Sequence, residues 1–458
     1  MDSKILLGLK VFFVIFLAAA LWQSGILEAY STEQQFTLLL LAIAIYFWTL
    51  SEVPFSASSL LLICLILIFN LVEVPEDAFR GFLSNALYFI LVLSLISKAL
   101  VKAGIDKVFV RILFTLSKGN VRTILFGLPF LILFMPIFLP SAIARFRIME
   151  PIIEQVNTAL NLSKHSLFRK FSMYVIGIMN QNSTMVVFTG GGFPILAAQL
   201  LRDFGGVEIS WLGWFIRIAP PLWISMLLVS FGVWFYFKRT TEKMVIEQEV
   251  KLEGDKELPE RFWKIVLPFF AMIISWIVFD QELVPLIIAP ILLVAYYAHP
   301  RNGLITNELV RSHDWENFLL LGASFSLGYL IEENGTALVL ASQLMNLLPE
   351  GLGELGSMTF IACFIFILRF LFVVPSTSMI IIFPIIMSYA EILNLSVISL
   401  AFLVIMIIGG VTILPIHSPT TLFAFQKGAF SKRDQFIIGS YSSLIIFIVA
   451  LTWAYFIW

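Results

Sequence analysis

The chain has 458 residues, 60% of them hydrophobic and 13% charged. Soluble domains carry about 25% charged residues, so this composition excludes an ordinary soluble enzyme, and its hydrophobic content excludes disorder. Twenty-nine basic against 30 acidic side chains leave a net charge of -1, which selects no nucleic acid, and Cys64 and Cys363 lie in separate apolar runs that suggest neither a disulfide framework nor a thiolate cluster.

So much apolar surface needs lipid as solvent. A bilayer core about 30 Å thick takes roughly 20 apolar residues as a helix, and the need to pair backbone groups in lipid makes the spans helical. The first run, Leu6 to Leu27, reads as a retained helix within residues 1–30, too long and too poorly flanked for a cleaved signal peptide. Further spans are expected at Phe36–Leu50, Pro54–Val72, Asn85–Val101, Phe171–Phe188 and Ile218–Phe237. A soluble stretch follows: Lys238 to Arg261 packs six basic and seven acidic residues into 24 positions, a solvated linker rather than a binding site. Spans resume at Trp263–Phe279, Leu283–Ala298, Asn317–Ile331, Val397–Leu414 and Phe436–Trp458.

Two runs do not read as simple spans. Ile124–Phe138 reaches Leu139-Pro140-Ser141 before a second apolar arm, and Thr359–Val374 reaches Pro375-Ser376-Thr377-Ser378 before another. Short arms with Pro and hydroxyl residues at the break suit re-entrant hairpins, at 121–158 and 357–392, whose tips are buried or line a wet cavity; two helices kinked at Pro are the alternative. Each hairpin precedes a span interrupted by small or hydroxyl residues: 171–202, around Thr189-Gly190-Gly191-Gly192-Phe193-Pro194, and 397–427, around Pro415-Ile416-His417-Ser418-Pro419-Thr420-Thr421.

The halves, 31–237 and 262–458, therefore keep the same punctuation in the same order. With five spans between corresponding helices, one half is inverted relative to the other. Paired interrupted segments in inverted halves point to a secondary transporter with its site at the midplane. Lys and Arg in the short loops place the N-terminus in the cytoplasm and the C-terminus outside. The expected fold is an all-α polytopic membrane protein of about 11 transmembrane helices plus two re-entrant hairpins.

Interrupted helices expose N–H groups that suit carboxylate or phosphate oxygens. Their C=O ends, with Ser and Thr hydroxyls, suit a hard cation such as Na⁺. Glycines at 190–192 admit close approach of a ligand, or simply close helix packing. Arg145, one turn after Ser141, is either a fork for a carboxylate or a structural pair. Arg147 and Glu150, three apart, pair with each other. Arg369 snorkels or functions within its arm. The polar block Asn180-Gln181-Asn182-Ser183-Thr184 lines a cavity or bonds between helices.

From about Val53 to Trp458 the chain resembles the divalent anion:sodium symporter family of the ion transporter superfamily. VPEDAFRGFLSNALYFILVLSLISKALVKAG is similar to that family's first-repeat entry, and SWLGWFIRIAPPLWISMLLVSFGVWFYF to the helix closing that repeat. LPIHSPTTLFAFQKG is similar to its second interrupted helix, usually Leu-Pro-Val-Ala-Thr-Pro-Pro-Asn, and Gly192-Phe193-Pro194 stands where it often has Gly-Asn-Pro. The family's Ser-Asn-Thr tips read here as Ser141-Ala142-Ile143 and Pro375-Ser376-Thr377-Ser378, so Ser141 carries over while Asn and Thr do not. The resemblance implies a homodimer whose transport domain moves as an elevator.

The expectation is a permease, not an enzyme: a carrier of a small anion, a di- or tricarboxylate, coupled to Na⁺ in the inner membrane. The expected substrate contacts are Ser141, Ala142, Arg145, Pro194, Ser376, Thr377 and Pro419. The expected cation contacts are Ser141, Gly191, Gly192, Ser376, Ser418, Thr420 and Thr421. The alternatives are a Na⁺/H⁺ antiporter or an oxyanion permease and, from other classes, an intramembrane enzyme or a channel. No GxxxxGK[ST], no HExxH and no paired intramembrane acids support an enzyme.

Overall fold

A computed structural model describes residues 30–49, 53–241, 261–279, 284–345, 351–370, 372, 375–393 and 395–458. The helix expected at 1–30 lies outside the described residues but for Tyr30, as does the linker expected at 238–261 apart from 238–241 and Arg261. Among the described residues the regular structure is all helical, with no strand.

In chain order the helices begin with α1 (Thr32–Thr49), α2 (Phe55–Ile68), a 3₁₀ segment Pro75–Leu83, α3 (Asn85–Lys102) and α4 (Ile105–Ser117). The first proposed hairpin supplies α5 (Val121–Phe138) and α6 (Ala142–Ala159). The first interrupted span supplies α7 (Leu167–Tyr174), a π turn Val175–Met179, α8 (Asn180–Ser183), a 3₁₀ turn Thr184–Val186 and α9 (Gly192–Gly205). Then come α10 (Trp211–Thr240), α11 (Phe262–Val278), α12 (Ile288–Ala298), α13 (Asn307–Arg311), α14 (Trp315–Glu333) and α15 (Thr336–Met345). The second proposed hairpin supplies α16 (Glu354–Arg369) and α17 (Pro375–Ile392). The second interrupted span supplies α18 (Val397–Gly410), a 3₁₀ turn Pro415–His417 and α19 (Pro419–Gln426), and α20 (Lys432–Phe456) follows.

Hydroxyl and Asp caps start many of these helices, because a side-chain oxygen pairs an otherwise orphaned N–H. Ser141, Ser166, Ser210, Asp314 and Ser418 each accept from the backbone three residues on, and Ser431 and Asp434 form a reciprocal capping box. Among the described residues α3, α5, α10 and α20 are long and apolar enough to cross a membrane. The arm α5 starts at Val121, where the hairpin was expected to begin, and its 18 residues make it longer than the short arm expected. Pro129 and Pro136 lie inside it, so its end at Leu139–Ser141 is set by the following cap rather than by the prolines.

The described residues fall into two compact units. One takes in the described part of Met1–Leu87, with Asp203–Gly205 and Asp314–Val404. Its core is the seam of α14 with α2 and the 3₁₀ segment, where Leu62, Ile63, Ile66, Ala78, Leu320, Ala323 and Leu327 are buried. The approach is backbone to backbone at Gly81: a Cβ there would overlap Gly322 O and Ser326 N. The Gly81 N–H donates to Ser326 Oγ at 3.0 Å. Arg80 pairs with Glu333 and lies 5.0 Å over the Tyr329 ring, whose hydroxyl donates to Asp203 Oδ2 at 2.9 Å. The helix α17 packs on α14 and α15.

The other unit holds Tyr88–Arg202, Gly206–His313 and Ile405–Trp458. Its frame is α10 against α20, which approach closely because Gly232 lies beneath the Tyr441 ring. Both α5 and α6 pack against α7, the π turn and α8, so this part of the first interrupted span lies between α5 and α6.

Candidate functional site

The site is built from three departures from helix within the second of these units. At the first tip the chain leaves α5 at Leu139 and runs extended to Ser141, whose Oγ accepts from Ala144 N at 3.2 Å and so starts α6. One turn on, Arg145 is fully buried. Its Nε donates to Asn180 Oδ1 at 2.7 Å and its Nη2 to Asn180 O at 3.2 Å. Its Nη1 donates to Leu139 O and, at 3.4 Å, to Gly190 O. Asn180 completes the link by donating to Ala142 O at 2.9 Å and Ile176 O at 3.0 Å.

The first interrupted span leaves the α-helix earlier than its glycines suggest. The π turn begins at Val175, the last 3₁₀ residue is Val186, and α9 resumes at Gly192. The non-helical stretch is braced by α10: Trp214 Nε1 donates to Met185 O at 2.8 Å and Trp211 Nε1 to Thr189 Oγ1 at 3.0 Å. Of the three glycines only Gly190 is demanded by space. A Cβ on it would overlap Thr184 O and lie 3.0 Å from Val187 O. Gly191 and Gly192 would make only ordinary contacts. Gly191 is extended and, having no side chain, gives the start of α9 no side-chain cap, so it leaves the first N–H groups of that helix uncapped at this position.

The second break also opens early, at Val411. Residues 411–413 are buried, lie outside regular secondary structure and bond to α20. Thr412 N donates to Ser443 Oγ at 3.2 Å, and Gln435 Nε2 donates to Thr412 O at 3.2 Å and to Ile413 O at 3.3 Å. Ser418 then caps α19, accepting from Thr421 N at 3.1 Å while its Oγ lies 2.6 Å from Thr421 Oγ1. The two breaks meet directly. Thr420 Oγ1 donates to Gly177 O in the π turn at 2.9 Å, with Gln181 Oε1 at 3.4 Å. Gly177 permits this, since a Cβ there would lie 2.7 Å from Ala424 Cβ.

The expected residues therefore fall as follows. Ser141, Ala142 and Arg145 stand at the first tip, and Gly191, Gly192 and Pro194 at the start of α9. Ser418, Pro419, Thr420 and Thr421 stand at the start of α19, all within one unit. Ser376 and Thr377 stand in the first turn of α17 in the other unit, Thr377 buried. Arg369 is buried and donates to Phe372 O. Asn180, Gly177 and Gly190 join the site beyond the expected set. Asn182, fully buried, has no hydrogen-bond partner for either amide atom among the described residues, a costly state for a polar group.

One expected pair is corrected. Glu150 does not pair with Arg147; its Oε1 lies 2.6 Å from Lys427 Nζ at the end of α19, because α19 packs on α6 and brings Lys427 within reach. Arg147 is exposed. Nearby, Arg169 pairs with Glu154 at 2.7 Å, and Lys170 pairs with Asp434 at 3.1 Å. Tyr236 donates to the other Asp434 oxygen at 2.8 Å. These carboxylates thus serve the ends of the helices, and none reaches Arg145, whose acceptors among the described residues are all neutral.

Comparison with known proteins adds three findings. The sequence pattern described as the sodium:sulfate symporter transmembrane region matches residues 4–458. Among curated proteins, the chain is 22% identical to an uncharacterized transporter of Haemophilus influenzae over 92% of this chain and 91% of that one. It is 26% identical to the putative malate transporter YflS of Bacillus subtilis over 44% of each. Among solved structures, the YdaH transporter of Alcanivorax borkumensis, described as having an unusual topology, superposes with a TM-score of 0.54. That match has 13% identity and covers 92% of this chain and 96% of that one.

Proposed function

The chain belongs to the sodium:sulfate symporter family, a family of membrane transporters, and on that premise we propose that it is a secondary active carrier of a small dicarboxylate coupled to Na⁺. One observation carries this reading: a fully buried arginine whose acceptors among the described residues are neutral, at the junction of a hairpin tip and a broken helix. A charge taken out of water without a counter-charge costs several kcal/mol. A substrate anion relieves that cost. The start of α9 and the capped starts of α6 and α19 bring further partial positive charge to the same region. The malate named for one relative is a dicarboxylate of this kind.

The cation in this reading sits by the second break, where Ser418 Oγ, Thr421 Oγ1, Thr420 Oγ1, Gly177 O and Gln181 Oε1 are gathered. Neutral oxygens suit Na⁺. The repeated Pro-Ser tip makes Ser376 and Thr377 the corresponding substrate and cation candidates of the second hairpin. With inverted halves, the carrier works by alternating access of the elevator type in a homodimer.

The test is counterflow of labelled malate, succinate, citrate, 2-oxoglutarate and sulfate into proteoliposomes, with and without a Na⁺ gradient. Saturable dicarboxylate counterflow accelerated by inward Na⁺ is the expected result. Sulfate uptake alone would turn the reading to an oxyanion permease, and unsaturable flux to a channel.

A further inference from the structure

The four oxygens that hold the Arg145 guanidinium have an unusual composition. Leu139 O comes from the hairpin tip, Asn180 O and Oδ1 from one side of the first break, and Gly190 O from the other side. Carbonyl oxygens converging from a tip and from both edges of an interrupted helix are what a hard, desolvated cation takes as ligands. Here those oxygens are already occupied by a cation that is covalently part of the chain. A guanidinium keeps its charge throughout the physiological range. Four of its five N–H groups are spent on these acceptors, and the side chain is fully buried.

We propose that Arg145 is a tethered cation that takes the place of a mobile Na⁺ at the first tip, so that this half of the site supplies its positive charge without drawing on the Na⁺ gradient. The inference rests on the carrier reading above and deepens it. It leaves the second break as the place where a coupling ion binds. It also reassigns the first-half groups expected to bind Na⁺: the Ser141 hydroxyl serves as a helix cap, and Gly191 and Gly192 shape the start of α9.

A purely structural arginine is the competing explanation, and its burden is the charge. Neutral side chains can bridge carbonyl and amide oxygens without the desolvation cost of a buried ion. Arg169, also buried, shows the ordinary solution in this chain: it has Glu154 as a counter-ion. Arg145 has no carboxylate beside it among the described residues, so its charge answers to something outside the protein.

The experiment uses the purified full-length chain and reads thermal midpoints in Na⁺, choline and methylguanidinium chloride at one ionic strength, beside counterflow of malate. In a Ser418→Ala/Thr421→Val background, which disables the second break, the protein with Arg145 intact should show the same midpoint in Na⁺ and choline. Arg145→Ala and Arg145→Gln in that background should acquire a cation requirement, their midpoints rising by about 2–4 °C in Na⁺ or methylguanidinium relative to choline. In the otherwise native chain, the same cations should restore part of the counterflow that these substitutions remove.

The inference is overturned if either variant has a midpoint indifferent to both cations, if neither can be recovered in any of the three salts, or if Na⁺ stabilises the Arg145-containing double variant. Because midpoints are read without substrate, they decide the inference separately from the carrier reading, which the counterflow panel of the unsubstituted protein decides.

Discussion

Gly439→Ala places a single methyl group between a helix and the break it braces. On helix propensity alone the change should stabilise α20 by about 1 kcal/mol. The structure sets a larger opposing effect. The new Cβ would lie 2.7 Å from Ile413 Cα, 2.7 Å from Thr412 O and 2.9 Å from Ile413 O. All three are backbone atoms, so no rotamer change relieves them. Ordinary van der Waals contact begins near 3.4 Å, so the segment 411–413 must move by at least about 0.7 Å, the difference from 2.7 Å. Overpacking of this kind costs about 1–3 kcal/mol. The same movement strains the bonds from Gln435 to Thr412 O and Ile413 O and from Thr412 N to Ser443, each worth about 1 kcal/mol. The net expectation is a loss of about 2–4 kcal/mol, a fall of several degrees in thermal midpoint, and a weaker apparent Na⁺ affinity as Ser418 and Thr420 shift. Gly127→Ala is the control: it too lies inside a helix, but its Cβ meets only Leu113 Cδ1 at 4.0 Å, so it should be neutral or mildly stabilising. A Gly439→Ala protein as stable as the unsubstituted one, or a Gly127→Ala protein equally damaged, would refute the reasoning.

The three adjacent glycines should separate in a transport assay. Gly190→Ala should reduce counterflow at least tenfold by displacing the carbonyl that Arg145 holds, while Gly191→Ala and Gly192→Ala keep most of it, since only the first meets backbone. Asp434→Asn should destabilise the protein by about 3–5 kcal/mol, because it leaves the Lys170 ammonium buried beside a neutral group. Tyr236→Phe, which removes one hydrogen bond to that carboxylate, should cost only about 1 kcal/mol; equal losses for the two in a denaturation series would show that the ion pair contributes nothing.

The spans are legible in the sequence because apolar length and capping residues are local signals. Ser210 and Ser431 mark the starts of α10 and α20, each several residues before the apolar run seen by eye. The breaks are legible as regions but not in their bounds. Glycine and proline punctuate residues 189–194 and 415–421, yet the chain leaves α-helix at Val175 and Val411. At Val175 the local sequence is apolar, and the one hint is Gly177, whose need comes from Ala424 far along the chain. At Val411 the cause is α20, whose Gln435 and Ser443 replace lost helical hydrogen bonds while Gly439 admits the close approach of the 411–413 backbone. The Arg147–Glu150 pair was the sensible local expectation, and Lys427 displaced it from another element. Arg145 was legible as a buried charge near the tip; its partners, Asn180 and Gly190, were not, because the fold alone brings them together.

The arrangement of charge bears on which anion fits. At the ends of the helices, Glu150, Glu154, Arg169, Lys170, Lys427 and Asp434 pair with one another, so they hold those ends together while leaving little field for a ligand. Around the breaks the balance is different. Arg145 contributes one full positive charge, and each helix start contributes about half a unit. Counting the starts of α6 and α9 beside Arg145 gives about +2, and α19 adds to it. A monoanion would leave part of that charge unanswered in a low-dielectric setting, and a trianion would exceed it without a bound cation. With α19 included the sum is about +2.5, so on the proposed carrier reading a di- or trianion fits best, and a Na⁺ held by the hydroxyls of the second break would balance the larger of the two rather than supply the whole of the charge.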